Sequence, residues 1–219
     1  MSTKFSYWHF QSALSDEECD KIIELGNSKN FSVGTTKGNS HKQNQSTPLN
    51  DRTIDDLDDT EIREQIYVRD SHVSWFNDQW VYDIVWPYLI AANNNAGWKY
   101  DFDIAENLQF TTYREKQFYG WHSDSNTDHH AIKTEPEEFR GKIRKLSMTV
   151  NLSREDEYEG GNLKFDLGPH TKNRYHECKE IRPRGSIVVF PSSVFHQVTP
   201  VTKGVRQSLV MWVLGSPFR

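Results

Sequence analysis

Three residues of the chain carry side chains that suit a metal ion. His122 and Asp124 are separated by one residue, and His196 follows far downstream. Two imidazoles and one carboxylate can occupy one triangular face of a six-coordinate ion and leave the opposite face open, as in non-haem Fe(II) oxygenases. The pattern therefore predicts a metal site that activates oxygen.

The His-x-Asp triplet is weak on its own, because a chain with nine histidines produces such triplets by chance. The neighbouring segments strengthen it. Residues 109–113 combine aromatic and β-branched side chains, and residues 186–191 form an apolar run closed by a proline, so both are typical of strands. Residues distant in sequence meet across adjacent strands of a barrel, so His122 and Asp124 can face His196. The alternative is a core histidine that binds no metal.

Arg206 follows His196 by ten residues and lies in an otherwise apolar strand, residues 205–213. A charged side chain is costly to bury there without a partner. Strand alternation puts Arg206 and Ser208 on one face, together with Val210. A guanidinium beside a hydroxyl suits the distal carboxylate of a dicarboxylic acid, which favours 2-oxoglutarate. The alternatives are an exposed edge position or a structural ion pair.

A run of ordered motifs extends from about residue 65 to the C-terminus. It comprises Arg69-Asp70-Ser71 with Trp75, Glu106-Asn107-Leu108-Gln109 leading to Tyr113, Tyr119-Gly120-Trp121-His122-Ser123-Asp124, and the segments 146–153, 158–163, 185–191, 196–201 and 204–206. With these motifs the chain resembles the prolyl 4-hydroxylase-like 2-oxoglutarate and Fe(II)-dependent dioxygenases, which are grouped with procollagen prolyl and lysyl hydroxylase catalytic domains. The combination is far more specific than the triplet alone.

The resemblance implies a role for each matching position. The metal ligands would be His122, Asp124 and His196, and the residues around 2-oxoglutarate would be Tyr113, Arg206 and Ser208. The residues that contact the peptide would be Arg69, Ser71, Glu106, Tyr119, Arg144 and Trp212. Structural alternatives exist, since Trp212 could belong to the core and Arg144 to a solvated basic stretch. Two positions depart from the family pattern: Arg206 replaces the usual lysine, and Asn151 replaces a frequent tyrosine.

The resemblance also implies the reaction and its partners. Fe(II), 2-oxoglutarate and O2 would be required, with ascorbate as reductant, and succinate and CO2 would be co-products. The substrate would be a prolyl residue in a protein or peptide. Two other classes remain open. One is an oxygenase of the same fold that acts on a small molecule, a lysine side chain or a nucleobase, and the other is a non-enzymatic jelly-roll that binds a ligand or metal.

The pattern of elements predicts a mainly β fold, a double-stranded β-helix (jelly-roll) core with flanking N-terminal helices. We expect a single domain over residues 1–219, with a helical flank over about 1–100 and the jelly-roll core over about 104–219. Ser15 and Glu18 form a capping-box signature for a helix that Gly26 is expected to stop. A second helix is expected over about residues 77–92, kinked or split by Pro87.

Composition narrows the class of partner. The net charge of −5 gives no domain-wide footprint for nucleic acid. The chain has neither an apolar leader nor a membrane-length apolar run, so we expect a soluble cytoplasmic protein with no membrane partner. Cys19 and Cys178 are expected to be free thiols. Polar loops are predicted over 34–50 and 125–141, where His129 and His130 fit a solvated loop better than a second metal site.

Overall fold

A computed structural model describes residues 5–34, 68–125, 136–169, 171–172 and 174–218 of the chain. Most of the two predicted polar loops, including His129 and His130, lies outside the described residues. Within these ranges the fold is mainly β, as predicted, and it consists of two large antiparallel sheets and a two-stranded pair, with helices on one side.

The larger sheet has eight strands in the described ranges. In spatial order these are β1 (Trp8–Phe10), β12 (Ile187–Pro191), β8 (Ile143–Asn151), β15 (Arg206–Gly215), β6 (Leu108–Tyr113), β4 (His72–Phe76) and β2 (Ser32–Val33), with β5 (Ile104–Ala105) paired to β15. The smaller sheet has the order β11 (Tyr175–Glu177), β10 (Leu163–Asp166), β13 (His196–Val198), β7 (Phe118–His122) and β3 (Arg69–Asp70). A separate pair joins β9 (Tyr158–Gly160) to β14 (Val201–Gly204).

The first helix, α1 (Asp16–Ser28), begins with the predicted capping box between Ser15 and Glu18. The prediction that Gly26 stops this helix is wrong, because α1 continues two residues further to Ser28. Gly26 is instead a packing position. A Cβ added there would lie 2.3 Å from Cγ of Phe110 on β6, so only a glycine lets α1 approach the sheet this closely.

The second helix, α2 (Gln79–Asn95), is continuous across Pro87, so the predicted split does not occur. Val81, Val85 and Leu89 are fully buried at intervals of four residues, and they form the stripe that packs into the core. The region before residue 100 was predicted to be helical, but it also contains the strands β1, β2, β3 and β4. These strands extend both sheets at their edges.

Strands β6, β8 and β15 are buried on both faces. One face packs against α1 and α2 through a core that includes Phe110, Met148, Val150, Leu209 and Met211. The opposite face carries polar side chains, among them Ser147, Thr149, Arg206 and Ser208. This second face looks toward the smaller sheet, and the candidate site lies between the two.

The remaining expectations concern thiols and membranes. Cys19 and Cys178 are both free and buried, as predicted. Among the residues described, neither helix combines the length and the apolar character that a bilayer crossing requires. The expected single domain over 1–219 stays a prediction.

Candidate metal and co-substrate site

The three residues predicted to bind metal lie together. The pairing of β13 with β7 places His196 directly opposite His122, and Asp124 follows two residues after the end of β7. One ligand atom from each residue lies within 4.8 Å of the others. Asp124 approaches Nε2 of His122 at 3.6 Å through Oδ1 and Nε2 of His196 at 3.6 Å through Oδ2. These distances exceed a hydrogen bond, and the ligand atoms of the three residues face a common space.

Backbone carbonyls orient both imidazoles. Nδ1 of His122 donates to the Gly120 carbonyl at 2.7 Å, and Nδ1 of His196 donates to the Val194 carbonyl at 3.0 Å. Each bond fixes the proton on Nδ1 and leaves the Nε2 lone pair directed into the shared space. Metal-binding histidines are oriented in this way, so the donor set fits a cation.

The electrostatics of the trio also favour a cation. Burial alone would raise the pKa of Asp124, but His196 and His122 hold it well below its usual range. Burial and the neighbouring His122 lower the pKa of His196 to about 4, against the opposing effect of Asp124. At neutral pH the site therefore presents one carboxylate and a neutral His196, the protonation states that bind metal.

The backbone around Asp124 is anchored to the turn that follows β12. The Asp124 and Ser125 amides both donate to the Ser192 carbonyl, at 2.9 and 2.8 Å. The Ser192 amide in turn donates to the Lys145 carbonyl at 3.0 Å, and the Ser192 hydroxyl lies 2.9 Å from that of Ser147 on β8. Ser192 thus ties the ligand loop to the larger sheet, a role that the sequence analysis missed.

Arg206 stands at the start of β15, opposite Tyr113 on β6. It is 2% exposed, and its guanidinium forms no hydrogen bond or ion pair with any residue in the described ranges. Cζ of the guanidinium lies 5.7 Å from the centre of the Tyr113 ring. Ser208, Val210 and Trp212 follow Arg206 on the same face and line the same cavity as the metal trio. A buried guanidinium without a protein counter-charge fits an anionic ligand in this cavity.

Asn151, which departs from the family pattern, does not line the cavity. Its side-chain amide donates to the Ser153 carbonyl at 3.0 Å and to the Arg182 carbonyl at 2.7 Å. The residue holds two backbone segments together, so its side chain is committed to the fold.

Three of the six predicted peptide contacts line the cavity, namely Arg69, Tyr119 and Trp212. Arg69 donates to the Ser71 hydroxyl at 2.8 Å and to Oε1 of Gln109 at 2.8 Å, and its guanidinium lies 4.5 Å from the centre of the Tyr119 ring. Tyr119 stacks on the His122 ring at 3.5 Å, and burial raises its pKa to about 12. Ser71 is buried and lies outside the cavity lining, where it supports Arg69.

Glu106 and Arg144, which are also predicted contacts, form a layer of three side chains with Trp212. Glu106 and Arg144 make a two-pronged ion pair, in which Nε of Arg144 donates to Oε1 at 2.7 Å. The Arg144 guanidinium lies 4.0 Å from the centre of the Trp212 ring, so it does not belong to a solvated stretch. Trp212 lines the cavity, and its buried Nε1 atom has no hydrogen-bond partner in the described part of the chain.

Sequence analysis did not assign a role to several cavity residues. They include Gln109, Thr149, Leu163, Phe190 and Val198. Gln109 could have been found, because it shares a strand face with Tyr113 by simple alternation. The apolar members carry no such signal, since buried apolar residues line both faces of these strands.

Comparisons with known proteins agree with this geometry. Residues 108–214 match the family model of the 2OG-Fe(II) oxygenase superfamily. A PKHD-type hydroxylase of Alteromonas mediterranea is 38% identical over 104 residues, which cover 48% of this chain and 41% of that protein. The matched segment thus spans about two fifths of the relative's length.

Two solved structures share the fold over most of the chain. The viral collagen prolyl hydroxylase of Paramecium bursaria Chlorella virus-1, in its 2OG complex, superposes with a TM-score of 0.59 at 17% identity and covers 97% of both chains. A prolyl hydroxylase of Trichoplax adhaerens, in complex with a peptide fragment of the hypoxia inducible factor oxygen degradation domain, gives 0.60 at 14% identity and covers 96% of this chain and 84% of that one. At these identities the likeness concerns the fold.

Proposed function

We propose that this chain, whose residues 108–214 match the 2OG-Fe(II) oxygenase superfamily, is a prolyl 4-hydroxylase-like dioxygenase that hydroxylates prolyl residues in a peptide or protein. Its requirements would be Fe(II), 2-oxoglutarate and O2, with ascorbate as reductant. The observation that carries the proposal is the meeting of three metal-ligand side chains with the unpartnered Arg206 in one cavity.

Each group of site residues would have its own role. His122, Asp124 and His196 would hold Fe(II), with the two carbonyl bonds keeping both Nε2 atoms available. Bound Fe(II) would supply the oxygen activation that no side chain provides. Arg206 would bind the distal carboxylate of 2-oxoglutarate, with Ser208 and Tyr113 beside it. Tyr119 would keep the His122 ring in place by stacking on it.

A proline-containing peptide suits the donors at the cavity wall. A prolyl residue has a carbonyl acceptor but no backbone N–H, so a wall rich in donors matches it. Among the residues that line the cavity, Trp212 has a buried Nε1 donor without a partner in the described residues, and Arg69 carries a guanidinium beside the Tyr119 ring. Arg144 lies over the Trp212 ring, outside the cavity lining. The names of the two solved structures, both prolyl hydroxylases, support the same substrate class.

The metal and co-substrate part of the proposal is tested by the visible absorption spectrum under anaerobic conditions. Addition of Fe(II) and then 2-oxoglutarate should produce a weak metal-to-ligand charge-transfer band, because the keto acid chelates the ion. His122→Ala should abolish the band, whereas His9→Ala, which changes an exposed histidine on β1, should preserve it. A folded wild-type protein that gives no band with both components in excess would favour the binding-module alternative.

The substrate part is tested separately by succinate formation and by the gain of one oxygen in the substrate's mass. Proline-containing peptides should stimulate succinate formation above the level seen with 2-oxoglutarate alone. Lysine peptides, nucleobases and small molecules should not. Stimulation by one of those compounds instead would keep the oxygenase and replace prolyl hydroxylation.

A further inference from the structure

A second cleft, of about 780 Å³, lies next to the catalytic cavity between α2 and β5. Its walls combine aromatic and apolar side chains with amides and a few carboxylates. The lining includes Tyr82, Trp86, Ile104, Phe139, Asp83 and Glu138. The proposed reaction uses none of these residues.

Glu106 lines neither the cleft nor the catalytic cavity, but it bonds to a lining residue of each. The Tyr82 hydroxyl, on the cleft side, donates to the Glu106 carbonyl at 2.9 Å. The Glu106 amide donates to the carbonyl of Trp212, on the cavity side, at 3.0 Å. The Glu106 carboxylate binds Arg144, which covers the Trp212 ring. A chain that leaves the cavity across this layer would therefore enter the cleft.

The charge of the cleft has one sign. Asp83, Asp103 and Glu138 contribute carboxylates, and its lining in the described ranges contains no lysine, arginine or histidine. Lys142 neutralises Asp103 at 2.8 Å from outside the lining. Asp83 and Glu138 have no ion pair within the described residues, so the cleft retains negative charge.

We infer that this cleft binds a lysine- or arginine-bearing stretch of the polypeptide substrate, next to the residue presented to the metal site. The inference rests on the proposed function. Long basic side chains fit such a surface, because their aliphatic stems pack on aromatic walls while their charges reach carboxylates. Trp86 and Phe139 supply aromatic surface, and a cation over a ring gains further attraction.

The test measures binding of fluorescently labelled proline-containing peptides by anisotropy, with Fe(II) and 2-oxoglutarate present and oxygen absent. Each peptide carries an arginine pair, a serine pair or a glutamate pair, placed two to eight residues from the proline on either side. These offsets cover roughly 7 to 26 Å of extended chain, at about 3.3 Å per residue. We expect the arginine peptides to bind at least tenfold more tightly at a preferred offset, with an advantage that shrinks as salt increases.

Variants locate this preference in the cleft. The double variant Asp83→Asn/Glu138→Gln should lose the arginine advantage, and Asp83→Lys/Glu138→Lys should favour the glutamate peptides. The matched control Glu24→Gln/Asp156→Asn removes the same charge from exposed positions outside the cleft and should retain the wild-type preference. All of the substituted residues are exposed, so we expect the melting temperatures to stay unchanged.

Two results would overturn the inference: an arginine advantage that survives in Asp83→Asn/Glu138→Gln, or equal binding of all three peptide sets by the wild-type protein.

Failure of the prolyl assignment would give a different set of results. If charge-dependent binding follows the cleft variants but no bound peptide is hydroxylated, the cleft assignment stands and the prolyl substrate is wrong. If peptides are turned over, the cleft variants should raise KM for arginine peptides and leave kcat unchanged.

Discussion

Arg206 is a buried cation whose counter-charge is missing from the described part of the protein. Burying an unpaired charge costs several kcal/mol unless a ligand supplies the opposite charge. The cost is acceptable at a binding site, because a carboxylate that enters the cavity removes it. At this residue, function and the stability of the ligand-free protein should therefore oppose each other.

The variant Arg206→Met separates the two effects. Methionine keeps an unbranched apolar side chain but carries no charge, so the ligand-free protein should be as stable as the wild type or more stable. The KM for 2-oxoglutarate should rise roughly 100-fold, because two charge-assisted hydrogen bonds together contribute about 3 kcal/mol. Urea denaturation and succinate assays measure the two quantities. Arg174→Met, which breaks an exposed ion pair with Asp166, should change neither by much.

The pH dependence of stability should report the environment of His196. Its pKa falls from 6.5 in the unfolded chain to about 4 in the folded protein, because it is buried beside His122. Between these values the unfolded chain binds a proton that the folded protein does not. The stability contributed by this group is therefore complete above about pH 6.5 and is lost as the pH falls toward 4.

For the metal-free protein we expect this group to remove about 2 kcal/mol of unfolding free energy between pH 7.5 and pH 5.0. Urea denaturation at the two pH values gives the total change. The same measurement on His196→Asn should show a smaller change, by about that amount, because residue 196 no longer titrates. An identical change in the two proteins would contradict the assigned environment of His196.

The roles of some site residues could be predicted from the sequence, and the roles of others could not. His122, Asp124 and His196 were identified because two imidazoles and a carboxylate suit a metal ion, and Arg206 because a charged side chain is unusual in an apolar strand. Ser192 was not, because it holds Asp124 through its backbone carbonyl, which any residue type possesses. Backbone anchors have no signature in the identity of the side chain, so a sequence alone cannot find them.

At the level of elements, α1 shows where local rules succeed and where they fail. Its start follows from the capping box, a contact between residues three apart in sequence. Its end was predicted wrongly, because Gly26 was interpreted by local propensity alone. The glycine serves a contact with Phe110, which lies 84 positions away in the chain, and a local pattern carries no information about such a contact.

Gly26→Ala should therefore destabilise the protein although alanine favours a helix. The added Cβ would lie 2.3 Å from Phe110, and such overpacking costs about 1–3 kcal/mol, against a gain of about 1 kcal/mol in helix propensity. We expect a lower melting temperature in thermal unfolding. The second change Phe110→Leu, made in the Gly26→Ala background, should recover part of the loss. Glu24→Ala, on the exposed side of α1, should have little effect. A Gly26→Ala protein more stable than wild type would refute this account of the packing.

At the level of the whole molecule, the site is built from residues of both large sheets, which form two layers of the fold. His122 and His196 lie on β7 and β13 of the smaller sheet, whereas Arg206 and Tyr113 lie on β15 and β6 of the larger one. The alternation of β15 predicted the cavity face, but the sequence could not show which strands would oppose it. That information depends on the order of strands in the two sheets.

A ligand that contacts both sheets should stabilise the whole fold in two separable steps. A ligand present at 100 times its Kd adds about 2.7 kcal/mol to the unfolding free energy, roughly 5–10 °C in melting temperature for a chain of this size. We expect Fe(II) to raise the melting temperature through the smaller sheet and 2-oxoglutarate to add a second increment through Arg206. Arg206→Met should keep the first increment and lose the second. Anaerobic thermal unfolding with neither ligand, with Fe(II), and with both measures each step. A second increment of wild-type size in Arg206→Met would mean that the co-substrate is anchored elsewhere.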